Sequence, residues 1–548
     1  MKKYHIRTLD FVVSLFLAFA IPAATTYLSQ GSLQINFSLV LQMLATFIAL
    51  IFSVILIRTF FSHLANSNLK SNSKLSRGLN RLFNSKHRTL WLALIIFLCW
   101  VPALVMLYPG TLINDSWGQL NQVLNLREGT WAISAHHPVF DTALMSVIIL
   151  PIEGLFDNWH IAFFVYVLIQ AICTSLVFAY SISYFKDKFK QKNLTSFIFL
   201  LIYCFFPIFV MSVQTVSKDA LFAWVYLLFA IQFIEILRTK GACLKNHRFL
   251  ISLLVVCIFC ILTKKAGAFI LLGSLVLAFF FIKGYRRYFL IPITAILGFN
   301  FIILPAVRYT FYIEESGTQE MLSLPFQQTA RYVKEHGDEV TKDEKETLEK
   351  VLEYQNLAAV YDPINADLVK GYEPRGEKSD YVNYLKVWLS QGLKHPETYL
   401  SATGAHLSGW FSYSLYMPLT NMNWHNQQND HYIPESATER NSFFSATSTA
   451  FENIYRFIYS IPGVGLLLTF AFLATLAPFF ILTTLLERRK TSKYLLATVP
   501  LFLSLILGCY LAPVSAGIEG MRYLYPVTYS LPTLFMLAIS LYDKSVIK

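Results

Sequence analysis

The chain has 548 residues, of which 55% are hydrophobic, 16% aromatic and only 14% charged, against roughly 25% charge in soluble domains. That composition excludes a soluble globular protein and points to a polytopic membrane protein, in which a formal net charge of +12 reports on loop placement and not on nucleic-acid binding. The cysteines Cys99, Cys173, Cys204, Cys257, Cys260 and Cys509 lie in apolar runs and Cys243 in a basic loop, so neither a disulfide framework nor a zinc spacing emerges.

Apolar runs of spanning length predict about twelve transmembrane helices, at 9–28, 36–60, 90–108, 160–184, 194–213, 219–238, 248–263, 266–283, 288–307, 459–485, 495–513 and 523–542. The first run follows "MKKYHIR" and reads as an uncleaved anchor. Basic clusters occur at the N-terminus, 70–88, 186–192, 238–248, 283–287, 488–493 and the C-terminus. With twelve helices all of them fall on one face, which makes that face and both termini cytoplasmic in a plasma membrane. The run "VFDTALMSVIILPIEGLF" at 139–156 carries Asp141, Pro151 and Glu153. A span here would place the lysines of "KDKFKQK" outside, so it is read as an amphipathic or re-entrant helix on the outer face.

The interval 309–458 carries 21 acidic and 12 basic residues. It reads as one mainly α extracytoplasmic domain, with "TKDE" at 341–344 as a capping box. The expected organisation is 1–89, two N-terminal helices and a basic loop; 90–308, a membrane core with a first outer loop at 109–159; 309–458, the outer domain; and 459–548, three final helices. No internal repeat is visible.

Six basic residues then fall on the outer face: Arg127, Lys218, Lys264, Lys265, Arg308 and Arg522. A single one could snorkel to lipid headgroups. Yet "VSKDAL", "LTKKAG" and "GMRYLYP" mark three separate helix ends, and two include a glycine that permits close backbone approach. A shared anion would explain them together. Asp115, in "INDSWGQL", lies just beyond the run that ends near 108, where it is either an N-cap or a catalytic carboxylate. His136 and His137 follow in "AHHPVFDT". There is no DxD, no HExxH and no third ligand at helical spacing, so no metal is indicated, although a divalent ion is compatible. Glu519 is expected to pair locally with Arg522.

This arrangement resembles the GT-C superfamily of membrane glycosyltransferases, such as the protein O-mannosyltransferases and the lipid A aminoarabinose transferases, and an uncharacterised Gram-positive branch in which "SLPFQQTARYV" opens the outer domain. "INDSWGQL" fits the family's acidic position at Asp115. "HHPVFDTALMSVIILPIEGLFDNW" looks like its juxtamembrane helix, and "SKDALFAW", "LTKKAG" and "EGMRYLYP" resemble its basic outer helix ends. The likeness covers about 90–310 and 500–530. It departs in having two extra N-terminal helices, "ND" in place of "DE" or "DxD", and "HHP" in place of "HPP".

The resemblance implies an all-α, GT-C-like polytopic membrane protein with outer juxtamembrane helices. It would be an inverting enzyme that moves a sugar from a polyprenyl-phosphate donor to a cell-envelope acceptor, without a required cofactor. Asp115 would be the base, supported by His136, His137, Asp141 and Asp219, and Lys218, Lys264, Lys265 and Arg522 would hold the donor phosphate. Gln327, Gln328 and Arg331 are candidates for acceptor or sugar contact, with an ordinary surface helix as the competing reading. The expected partners are the lipid-linked sugar, an envelope glycan and the bilayer, with no nucleic acid. A flippase or a ligase of lipid-linked glycans is the alternative.

Overall fold

The computed structural model describes residues 6–30, 33, 35–67, 74–130, 133–371, 375–419, 442–487, 489–517 and 520–543. Glu519, and part of the basic clusters at 70–88, 488–493 and the termini, lie outside the described residues.

The chain is almost entirely helical. It opens with α1 (Thr8–Gln30), α2 (Phe37–Asn66), α3 (Lys74–Asn84) and α4 (Arg88–Met106). A short strand β1 (Thr111–Leu112) leads into α5 (Asn114–Arg127), α6 (Val139–Phe156), α7 (Trp159–Lys188), α8 (Asn193–Phe205) and α9 (Pro207–Val213). Strand β2 (Thr215–Val216) precedes α10 (Lys218–Arg238), α11 (His247–Thr263), α12 (Lys265–Phe281) and α13 (Arg286–Thr310). The inserted segment holds α14 (Ser323–His336), α15 (Lys342–Glu349), α16 (Tyr354–Val360), α17 (Asp367–Lys370), α18 (Lys378–Lys394), α19 (Pro396–Phe411) and α20 (Ser442–Ser460). The chain closes with α21 (Phe472–Glu487), α22 (Lys493–Tyr510) and α23 (Tyr525–Ser540).

This is an all-α polytopic membrane protein. Eight helices among the described residues are long and apolar enough to cross a membrane: α1, α2, α4, α6, α7, α10, α13 and α22. The bent pair α8–α9, broken by 51°, would make a ninth. Pro207 sits at the break, where it cannot donate to the helix ladder. The expected runs at 248–263 and 266–283 form the shorter helices α11 and α12, whereas the run at 459–485 is broken and only its second part continues as the helix α21. Expected run 523–542 forms α23, buried along nearly its whole length at the centre of the bundle. The run at 139–156 does form one continuous helix, and by length and composition alone it qualifies as a span.

The two ends of the bundle differ. At one end, the buried Arg58 of α2 binds Asp10 of α1 at 2.9 Å and the Thr483 carbonyl of α21 at 2.7 Å, with Glu487 at 3.6 Å. Arg238 pairs with Glu235 there, and Arg88 with Asp187. The opposite end carries the first loop, the inserted segment and the candidate site.

Three devices assemble that second end. Strands β1 and β2 pair in parallel, Thr111 with Thr215 and Leu112 with Val216. Residues 133–135 run beside Glu314: Ala135 donates to the Glu314 carbonyl at 2.7 Å, and Glu314 to that of Ile133 at 3.1 Å. The inserted segment has its own core of Phe326, Ala330, Leu348, Val351, Leu352, Leu357 and Tyr384, and the expected capping box at Thr341 and Glu344 opens α15. Its helix α19 returns to the bundle, where Phe411 stacks on Tyr510 at 5.8 Å and Thr475 bonds the Trp410 carbonyl at 3.1 Å.

Gly110 makes the first device possible. Its φ is +105°, and a Cβ there would lie 2.6 Å from Val167 Cγ2 and 2.9 Å from the Gln214 carbonyl. Gly129 also has positive φ, at +86°, but faces open space. Gly129→Ala should therefore cost only the backbone strain, about 1–2 kcal/mol, whereas Gly110→Ala adds a clash with the strand pair and should lower the melting temperature clearly further. Equal shifts in detergent-solubilised protein would mean that the pair yields without penalty.

Candidate functional site

Four segments distant in sequence meet at this end. Asp115 lies in the first turn of α5, and Lys218 and Asp219 open α10. Lys264 is the residue between α11 and α12, and Arg522 sits in the tight turn Gly520–Leu524 that leads into α23. Each position has a local cause. The β1–β2 pair brings the start of α5 beside the start of α10, and Ser217 caps α10 by accepting from the Ala220 amide at 3.2 Å. Gly267 lets the α11–α12 corner close, since a Cβ there would lie 2.6 Å from the Cys260 carbonyl. Gly520 does the same for the Arg522 turn, 2.2 Å from the Ser515 carbonyl.

The charges interlock. Lys218 Nζ donates to Asp115 Oδ2 at 2.5 Å and lies 2.7 Å from His137 Nδ1. Arg522 donates to the same Asp115 oxygen and lies 3.6 Å from Asp219 Oδ2. Lys264 Nζ donates to Asp219 Oδ1 at 2.6 Å. Tyr523 serves as a shared aromatic face, 5.2 Å from Lys264 Nζ and 4.9 Å from the Arg522 guanidinium carbon. The side chains of Lys218, Lys264 and Arg522 are 15%, 12% and 9% exposed. They pair inward with carboxylates. Among the described residues, these three cations converge on two carboxylates.

Asp115 does not cap its helix. Ile113 occupies the N-cap position with no side-chain bond, and the Asp115 carboxylate is taken by Lys218 and Arg522. Burial pushes that carboxyl up, but Arg522, Lys218 and His137 outweigh it and hold it well below the usual range. Burial first, then the Lys218 charge, pushes His137 down to about 2. Its ring is neutral, so Nδ1 accepts from the Lys218 ammonium.

The other expected residues divide. Asp141 is buried and accepts from Gln119 of α5 at 2.7 Å, which ties α6 to the helix that carries Asp115. His136 is half-exposed, edge-on to His137 with ring centres 4.6 Å apart, and 3.9 Å from Glu320. Lys265 donates to Ser316 at 2.8 Å and joins none of the cluster's ion pairs, though burial and the nearby Lys218 charge push its ammonium down to about 8. Arg127 lies 3.6 Å from Glu153. Gln327, Gln328 and Arg331 find partners within the inserted segment: the Asp362 carbonyl at 2.7 Å, Thr403 at 3.0 Å and Glu335 at 2.8 Å.

Sequence reasoning passed over Tyr523, which stands beside Arg522 in the same motif. It also passed over Glu320 and Lys370, an ion pair next to His136, whose approach depends on tertiary packing and leaves no local signal.

The His137 environment has a pH signature. An unfolded histidine protonates near pH 6.5, whereas the folded ring stays neutral down to about 2. The unfolded state therefore binds the extra proton, and stability falls as pH drops below 6.5, by up to about 1.4 kcal/mol per unit. Asp115 acts in the same direction but in a lower window, its stabilisation being lost as pH falls from near 4 through its depressed folded value. His137→Asn should therefore flatten the melting curve between pH 6.5 and 4.5. An unchanged slope would show that this ring is not held neutral.

No curated protein and no solved structure matches the chain. One family model, described as a family of unknown function (DUF6020), matches residues 127–546. The match takes in Lys218, Asp219, Lys264 and Arg522, and begins at Arg127, the last residue of the helix that carries Asp115. The chain belongs to the DUF6020 family.

Proposed function

We propose that this protein is a GT-C-type inverting glycosyltransferase that moves a sugar from a polyprenyl-phosphate donor to a cell-envelope acceptor. The observation that carries this reading is the convergence of three cations, Lys218, Lys264 and Arg522, on Asp115 and Asp219. An anion is the natural complement of such a cluster, and a carboxylate beside it supplies a base.

In this reading the shorter helices complete about twelve spans, both termini are cytoplasmic, and the inserted segment faces outward. Helix α6 rests on the outer side. Two contacts favour that placement: Asp141 near its start bonds α5, and Trp159 just past its end reaches α5 again through Phe163 and Trp117, with ring centres 5.9 Å and 5.8 Å apart.

The chemistry follows from the charges. The acceptor oxygen bonds the anomeric carbon as the bond from that carbon to the phosphate oxygen breaks. The acceptor proton goes to Asp115, and the polyprenyl phosphate leaves as an anion onto Lys264, Arg522 and Lys218. Attack opposite the leaving group inverts the anomeric centre. In the resting site Lys218 and Arg522 engage Asp115 Oδ2 and make the carboxylate a weak base. A donor phosphate that draws these cations toward itself raises the basicity of Asp115, so the base is armed only when donor is present. Asp219 keeps Lys264 in place.

Asp115→Asn tests the base. Shape is preserved but Lys218 and Arg522 lose their counter-charge, so the melting temperature should drop, while the protein that stays folded should still bind donor and transfer from a polyprenyl-phosphate sugar should fall roughly 10²–10⁴-fold. Near wild-type transfer would remove Asp115 from the mechanism. Normal transfer in Arg522→Lys together with Asp115→Asn would reduce the cluster to a structural clamp. The donor would be named by the lipid-linked sugar that accumulates in a deletion strain, identified by mass spectrometry.

The orientation is tested separately. A cysteine introduced at Lys345 should be labelled from outside intact cells, and one at Lys188 should not. Labelling at Lys188 would overturn the orientation and with it the outer-face site.

A further inference from the structure

A second cluster lies in the inserted segment. His336 ends α14, His395 joins α18 to α19, and Glu397 lies in the first turn of α19. Each offers a ligand atom, and the three atoms lie within 4.8 Å of one another. The two imidazoles are stacked, with centres 3.7 Å apart and planes 14° from parallel.

The stack gives the two rings a common direction. On one side both address the same carboxylate: His336 Nδ1 is 3.5 Å from Glu339 Oε1, and His395 Nε2 is 3.2 Å from Glu339 Oε2. On the other side His395 Nδ1 is 3.0 Å from Glu397 Oε1, and His336 Nε2 is 3.1 Å from the hydroxyl of Thr398. Lys394 holds Glu339 at 2.6 Å. Metal-binding histidines typically donate their second ring N–H to a carboxylate, which fixes tautomer and orientation. Here one glutamate bonds His395 Nε2 and lies within ion-pair reach of His336 Nδ1, so the opposite nitrogens of both rings lie on the side of Glu397.

We infer that His336 Nε2, His395 Nδ1 and the Glu397 carboxylate form a site for a divalent transition metal of the zinc class, with Glu339 as the carboxylate that orients both rings. Two imidazoles and one carboxylate suit zinc. At bond lengths of about 2.0–2.1 Å, neighbouring ligands on a tetrahedral ion stand roughly 3.3 Å apart. The His395–Glu397 separation already matches, and the stacked rings need only splay to turn both lone pairs toward one ion. The fourth position is left to water. The ion would pin the end of α14 to the α18–α19 corner, and so fix the helix that returns to the membrane bundle. It is independent of the Asp115 cluster and of the glycosyltransferase reading.

The test is calorimetric titration of zinc chloride into the metal-stripped full-length protein in detergent, with thermal unfolding in parallel. One zinc should bind per chain and raise the melting temperature. Glu397→Gln changes an exposed side chain and should fold normally, yet lower affinity at least tenfold. Glu339→Gln should lower it by 10- to 100-fold, the range for loss of an orienting carboxylate, and His336→Ala with His395→Ala should abolish binding. Absence of saturable binding by the wild type, or isotherms unchanged in Glu397→Gln and the double variant, would overturn the site.

Discussion

The site end of this protein hangs on where one carboxylate is held. Asp115 sits between Lys218 and Arg522, which lie 103 and 407 residues away in sequence, and Arg522 extends the link to Asp219 and Lys264. In an apolar bundle most helix faces are interchangeable, because burial energy carries little direction. Ion pairs in a partly dehydrated pocket do carry direction, and leaving one member without its partner is costly, on the order of 3–5 kcal/mol. The cluster therefore selects one arrangement of four segments from the many that hydrophobic packing alone would accept.

The other end of the bundle shows what a purely structural network looks like. Arg58 is matched by Asp10 and Glu487, and the nitrogen that binds Asp10 also donates to the Thr483 carbonyl. Arg7 is likewise spent on the Leu486 and Glu487 carbonyls. In the Asp115 cluster, among the described residues, three cations share two carboxylates. Its last member also depends on a distant element. Gln327 holds the Asp362 carbonyl, and the turn that follows pairs with the approach to Arg522, Ala366 donating to Pro513 and Ser515 to Ile364. His406 of α19 adds a bond to the Ala512 carbonyl at 2.8 Å. Gln327 thus bears on the cluster at one remove, by positioning the loop that delivers Arg522.

The helices were largely legible because apolar runs of spanning length have few other fates. Their exact standing was less so. A run such as 523–542 looks lipid-facing, yet α23 is buried among other helices, and composition cannot tell lipid from protein as the apolar neighbour. The basic residues at helix ends stood out because they break a charge bias, and three of the four marked residues do converge. Lys265 breaks the same bias but faces Ser316. Adjacent lysines on a helix start point in different directions, and spacing did not reveal which of the pair turns inward. The two glycines in those motifs were informative for a clear reason: at Gly267 and Gly520 a side chain would strike backbone. The His336–His395 stack was invisible in sequence, because 59 residues and four helices separate its halves.

The smallest element in the fold has a long reach. Strands β1 and β2 are two residues each, yet they register Thr111 and Leu112 against Thr215 and Val216. Asp115 and Lys218 follow within three residues of that pairing, too short a distance for slack. Side chains alternate between faces along a strand, so a slip of one residue turns each to the wrong side. Insertions and deletions are usually absorbed by loops, but the stretches 113–114 and 217 cannot absorb them. The spacing of these few residues is a length standard written into the chain, and drift in loop length across the protein must stop at its borders.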